Sequence, residues 1–232
     1  MCYAKRAVMM LVVALALTGG LWAQRPGHGG GMGMMGSLPK MPGMTSAVVG
    51  SGAEYLMTTK GKDMDVAWAI VGKEDVNGDP GIWIETRMQM AELGGEMVTK
   101  MLIVNTGPEA GIKRMIMQQP GQPPMEMTGM MMGMMKSAQP KPTATGEKPD
   151  FGELVGTETV TVPAGSFVCE HYRKQEKSGT IDYWVSTQIT PYGMAKMTGP
   201  DMTMVLKKVL SNESSHIKGE PQKMQMPEMP HF

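Results

Sequence analysis

Thioether sulfur is the chemically distinctive group of this chain. Thirty of its 232 residues are methionine, and they cluster. Seven of the eleven residues in 125–135 (MEMTGMMMGMM) are Met, including Met125, Met127, Met130, Met131, Met134 and Met135. Five more fall within 32–44, where Met32, Met34 and Met35 follow His28. Near the C-terminus, Met224, Met226, Met229 and His231 place three thioethers and an imidazole within eight residues. A thioether is a soft ligand that favours Cu(I) over Zn(II) or Mg(II). It is also a flexible apolar filler that adapts to irregular surfaces. The first property points to a Cu(I) site at Met224, Met226, Met229 and His231. The second points to 125–135 as the lid or lining of a site for an apolar or lipidic ligand. Against both stands the compositional reading, in which Met- and Gly-rich tracts are low-complexity segments with no site.

Other constellations are weaker. Asp75-x-Asn77-x-Asp79 has the first spacings of a calcium loop, but Pro80 stands where that loop needs Gly and Thr86 where it needs Glu. A polar hairpin turn accounts for it. Cys169 and His171 lie two apart, hence on one face of a strand, with no further zinc ligands nearby. Cys169 and Phe167 are expected in the core, with His171 near the sheet edge. GxSxG, HExxH, CxxC and glycine-rich phosphate loops are lacking, so an enzyme is not expected, nor any cofactor unless Cu(I).

Several segments must hold these residues in place. Residues 1–23 read as a secretory signal peptide: Lys5 and Arg6, an apolar run over 7–17, and a cut before Gln24. No Cys follows that run, so a lipoprotein anchor is not expected, and the mature chain is placed in the periplasm or outside the cell. Cys169 is then the only mature cysteine, which excludes an intramolecular disulfide. With 22 basic and 22 acidic residues there is no basic field for nucleic acid. No later stretch is long and apolar enough for a membrane span. Residues 24–50 read as a disordered Gly/Met/Pro-rich linker, 51–211 as the folded domain and 212–232 as a disordered Met-rich tail. Within the domain, 120–150 forms a Met- and Pro-rich insertion. A short helix over 125–135 is weakened by Gly129 and Gly133.

The rest of the domain reads as strands. Ile82, Ile84, Met88 and Met90 alternate with Trp83, Glu85, Arg87 and Gln89, a period of two. The segment 64–72 should pair with 82–90 across turn residues 74–81. Further strands are expected at 98–104, 111–118, 154–162, 166–174, 180–187 and 202–210, with Gly and Pro punctuating the meander. This predicts a mainly β domain, a curved antiparallel sheet or half-barrel of about 8–10 strands. Trp83 and Trp184 fall on the more polar faces of their strands and are candidates to line a ligand cleft or to cover a sheet rim.

The turns after Gly156 carry a family likeness. Pro163-Ala164-Gly165-Ser166-Phe167, the strand Tyr183-Trp184-Val185-Ser186, and the turn Thr190-Pro191-Tyr192-Gly193 resemble exported bacterial domains around the LolA/LolB-like half-barrels. The resemblance covers about 55 residues well and 54–118 loosely. It implies a curved antiparallel sheet whose apolar concave face is covered by helix and, in the better-known relatives, carries acyl chains. Non-enzymatic binding of an apolar or lipidic ligand in the cell envelope is therefore the leading expectation. A Cu(I)-binding envelope protein and a structural envelope protein without a small ligand are the alternatives.

Overall fold

The computed structural model describes residues 48–90, 94–104, 111–127, 129, 133 and 151–223. Within them lie twelve strands: β1 (Gly52–Thr59), β2 (Lys62–Val76), β3 (Asp79–Met90), β4 (Gly95–Val104), β5 (Gly111–Gln118), β6 (Met125–Glu126), β7 (Glu153–Val162), β8 (Gly165–Glu176), β9 (Gly179–Val185), β10 (Met194–Thr198), β11 (Met202–Leu210) and β12 (Gln222–Lys223). They form one open, curved sheet in the order β12-β6-β5-β4-β3-β2-β1-β11-β10-β9-β8-β7. Every paired neighbour is antiparallel except β12 on β6, which is parallel.

The mainly β class and the curved antiparallel sheet agree with the sequence pattern, and all eight expected strands are present. Four more join them. β1 joins the two halves of the sheet by pairing with β2 on one side and β11 on the other. β10 is short and bulged at Met194/Lys196, so its alternation is broken. β6 and β12 are two-residue strands, too short to show any period.

The β2–β3 hairpin is tighter than expected. Its strands run to Val76 and from Asp79, leaving Asn77-Gly78 as a two-residue turn. Both turn residues have positive φ, 55° and 90°, the primed turn that suits the twist of an antiparallel pair. The Asp75 carboxylate accepts the Gly78 N–H at 2.8 Å, so this motif is a turn clamp.

Residues 212–223 differ from the expected disordered tail. Asn212, at φ 59°, turns the chain off β11, and the Glu213 N–H donates to Gly50 O. The chain then crosses one face of β3, β4 and β5 as a strap and ends beside β6. Composition misses this because the strap is held by polar groups and one apolar side chain, Ile217. That side chain packs on the buried cluster of Trp83, Leu102 and Ile116.

A second, larger core gathers Tyr55, Tyr183, Met194, Met197, Met204 and Leu206 with Cys169 from the β7–β8 hairpin. Each methionine or leucine of this set contributes about 1.5–3 kcal/mol on burial. Gly129 and Gly133 have helical backbone and open space where a Cβ would stand. The expected signal peptide, most of the linker, and the rest of 128–150 lie outside the described residues.

Candidate functional site

The register collects methionine on one face of the sheet. Met64, Met57, Met204 and Met197 stand directly opposite one another across β2, β1, β11 and β10. Met88 faces Met97, Met101 faces Met115, and Met117 faces Met125. Strand side chains alternate between faces. The partner chain Met88–Val66–Tyr55 and the row Met117–Thr99–Thr86–Trp68 show that all these positions share one face. Met101, Met115, Met197 and Met204 are buried. Met57, Met64, Met88, Met97, Met117 and Met125 are half-buried. The Met127 N–H donates to Met115 O at 2.9 Å, which extends the β5–β6 register by one pair.

Of the residues expected to line a ligand site, this face holds Met125 and Met127. Met130, Met131, Met134 and Met135 lie outside the described residues, as do the copper candidates Met224, Met226, Met229 and His231. Trp83 and Trp184 stand on the other face of the sheet, the more polar face of their strands. Trp83 alternates with Ile84 and Ile82 and so faces away from the methionines. It is buried under Ile217, its Nε1–H donates to the Glu74 carboxylate at 2.9 Å, and Lys100 and Arg114 stand over its ring. Trp184 pairs with Lys196 and His171, while its neighbour Tyr183 pairs with Met197, so it too lies on the opposite face.

Around Trp184 a polar group assembles. The His171 ring stacks on the indole at 4.5 Å between centroids, and Lys196 Nζ lies 4.9 Å from the indole centroid. His171 Nε2 lies 2.8 Å from the Asp182 carboxylate and Nδ1 lies 3.2 Å from Glu158. The Trp184 Nε1–H donates to the same Glu158 oxygen at 2.6 Å. Burial alone would raise the Asp182 carboxyl. Hydrogen bonds from His171 and Arg173 outweigh it and hold the group below the usual carboxylate range. His171 is thus engaged on both ring nitrogens beneath an indole, and it stands on β8, the strand next to the sheet edge, as expected. Cys169 is fully buried as expected, and burial, with Glu158 adding to it, pushes its thiol up. That direction removes thiolate and with it nucleophilicity.

The polar residues under the strap form the other organised site, and sequence reasoning missed it. Glu85 is 0 % exposed in mid-sheet. Its carboxyl accepts Ser215 Oγ–H at 2.7 Å and the His216 backbone N–H at 3.0 and 3.1 Å. Arg87, on the same face, makes a 2.7 Å ion pair with Glu213 and a hydrogen-bond contact with His216 Nε2. His216 Nδ1 lies 3.1 Å from Glu96. Gln118 clamps Lys218 from both sides, accepting its N–H at 2.8 Å and donating to its carbonyl at 3.0 Å. The only sequence signal was Glu85 and Arg87 alternating with apolar residues on a long central strand.

Among the described residues the two best-formed hollows are shallow clefts of about 170 and about 210 Å³. Both are smaller than the roughly 300–1,000 Å³ of small-molecule pockets. The first is lined by Thr157, Val168, Cys169, Glu170 and the Val185–Thr187 turn, the second by the ends of β1 and β11.

No family model matches the chain, and no curated protein matches it. Solved structures do. One is a candidate lipoprotein from Parabacteroides distasonis, 12% identical, covering 73% of this chain and 98% of its own, with a TM-score of 0.37. Another is a candidate exported protein with a YmcC-like fold from Bacteroides fragilis, 14% identical, covering 70% of this chain and 96% of its own, with a TM-score of 0.33. The LolA/LolB-like likeness remains a matter of turn pattern.

Proposed function

We propose that this chain is an exported, non-enzymatic protein that holds an apolar or lipidic ligand against its methionine face. The observation that carries the reading is the one-sidedness of the strand methionines. Buried members of the set make a rigid floor, and half-buried members leave thioether surface within reach of a ligand. Three rotatable bonds let each side chain mould to an irregular hydrocarbon. The signal-peptide pattern supports export, and the LolA/LolB-like turn pattern supports an acyl-type ligand. The non-enzymatic part is supported by the state of the nucleophile and base candidates: a buried thiol of raised pKa at Cys169, and imidazoles at His171 and His216 already engaged by neighbours.

Native mass spectrometry of protein purified from the periplasm without detergent tests the reading. The expected result is an added mass of several hundred daltons that is lost on organic extraction. A bare mass, together with no uptake of a fluorescent fatty acid by the extracted protein, would remove the lipid reading and favour a structural role.

A further inference from the structure

We infer that Met115, Met117, Met125 and Met127 form a thioether site for a soft monovalent cation, Cu(I) by chemical class, at the β5–β6 side of the methionine face. The register sets the four positions as a two-by-two block. Met117 faces Met125, and the Met127 N–H to Met115 O bond sets those two residues opposite each other. Directly opposed residues of such pairs lie about 5.5 Å apart at Cα, and diagonal neighbours about 7–8 Å. Methionine side chains span that distance, so four sulfurs can converge on one ion.

Two observations set this block apart from the core methionines, and its chemistry suits a soft cation. Met117, Met125 and Met127 are half-buried and Met115, beneath them, is 8 % exposed, whereas Met101, Met197 and Met204 are only 1–2 % exposed. The short β6 is held firmly from several sides: Glu126 accepts Arg114 Nε–H at 2.7 Å on the opposite face, Gln222 N–H donates to Pro124 O at 2.9 Å, and β12 pairs along it. The ligand positions are therefore fixed before any ion arrives. Finally, the site is built from thioethers alone. Neutral soft sulfur selects Cu(I) over Zn(II) and Mg(II). It also releases no proton on binding, unlike a His or Cys site, so affinity should not change with pH between about 5 and 8. Lys223 pairs with Glu126 at this same edge. The four strand methionines do not need the methionines that follow Lys223 in the sequence, and no apolar ligand is required for them to act.

The test is Cu(I) titration of the full chain under ascorbate, against a chromophoric Cu(I) chelator, at pH 5.5 and pH 7.5. Wild type is expected to bind one Cu(I) tightly, equally at both pH values, and unaffected by excess Zn(II). The double variant Met117→Leu, Met125→Leu keeps apolar volume. Its affinity should fall by more than the roughly 10–100-fold lost when mere supporting groups of a metal site are removed. A chain ending at Lys223 should bind as wild type does. A second readout uses wild-type protein only: Ag(I), a redox-inert stand-in for Cu(I), should suppress peroxide conversion of Met117 and Met125 to sulfoxide. The site is refuted if wild type binds no Cu(I), if the double variant binds unchanged, if truncation at Lys223 alone abolishes binding, or if Ag(I) leaves sulfoxide formation at Met117 and Met125 unchanged.

Discussion

Removing the Glu85 carboxyl should unlatch the C-terminal strap, and the size of the effect follows from its surroundings. Glu85 is fully buried and receives Ser215 Oγ–H and the His216 backbone N–H. Glu85→Ala takes the acceptor from the Ser215 hydroxyl and the His216 N–H and opens a cavity between β3 and the strap. Two hydrogen bonds to a carboxylate, at about 1.5–3 kcal/mol each and partly regained as the freed donors reach water, put the loss at about 3–5 kcal/mol. For a domain of 150–250 residues, each kcal/mol lowers Tm by about 2–4 °C, so a fall of about 6–20 °C is expected. Ser215→Ala removes one donor only and should cost about 1.5–3 kcal/mol. Because both changes break the same contact, the double variant should cost less than the sum, by about 0.5–3 kcal/mol. Urea unfolding of the four proteins measures this cycle. Hydrogen exchange should show residues 213–218 opening before the central strands in Glu85→Ala. A loss below about 1 kcal/mol for Glu85→Ala, or strict additivity with Ser215→Ala, would refute the latch.

Three further outcomes are expected. Burial, with Tyr192 adding to it, raises the Tyr55 phenol well above its ordinary value, and burial alone raises Tyr192. These folded-state pKa values lie above the unfolded value near 10, so their stabilisation is complete below about pH 10 and is lost above it. Two such groups remove about 3 kcal/mol by pH 11, readable in urea midpoints across pH 9–11. Asp182 runs the other way. Its folded pKa is depressed, so the stability it adds is present above the unfolded value and lost as pH falls through the folded one. Asp182→Asn should therefore flatten the acid limb of the stability curve below about pH 4. Cys169 should stay unlabelled by a thiol reagent at pH 8 in the native protein and react fully once denaturant is added. Rapid native labelling would contradict its burial.

Much of the sheet was legible in the chain because strands advertise themselves by period. Ile82, Ile84 and Met88 against Trp83, Glu85 and Arg87 declare a strand with two different faces, and both faces exist. What the pattern does not carry is the partner of each face. Trp83 sat on the polar side of its strand and so was a candidate for a cleft; the strap lays Ile217 over it and makes it core. Residues 212–223 contain little that is apolar, and a composition argument counts apolar burial. Their order comes from a few long-range polar contacts to Glu85, Arg87 and Gln118, which are over a hundred residues away in sequence for the bonds from Ser215, His216 and Arg87.

From the chain alone come the class of fold, the position of most strands, the burial of Cys169 and the concentration of thioethers. Each of these follows from local alternation, turn chemistry or composition. That the strand methionines share a face, that Met115, Met117, Met125 and Met127 form a block, and that Trp83 and Trp184 stand on the other side emerges only in the folded sheet. The reason is register. A slip of one residue sends a side chain to the opposite face, and register is set by pairing between distant strands, with bulges at Glu54/Tyr55, Ile70/Gly72, Leu102/Ile103 and Leu154/Gly156 shifting it along the way.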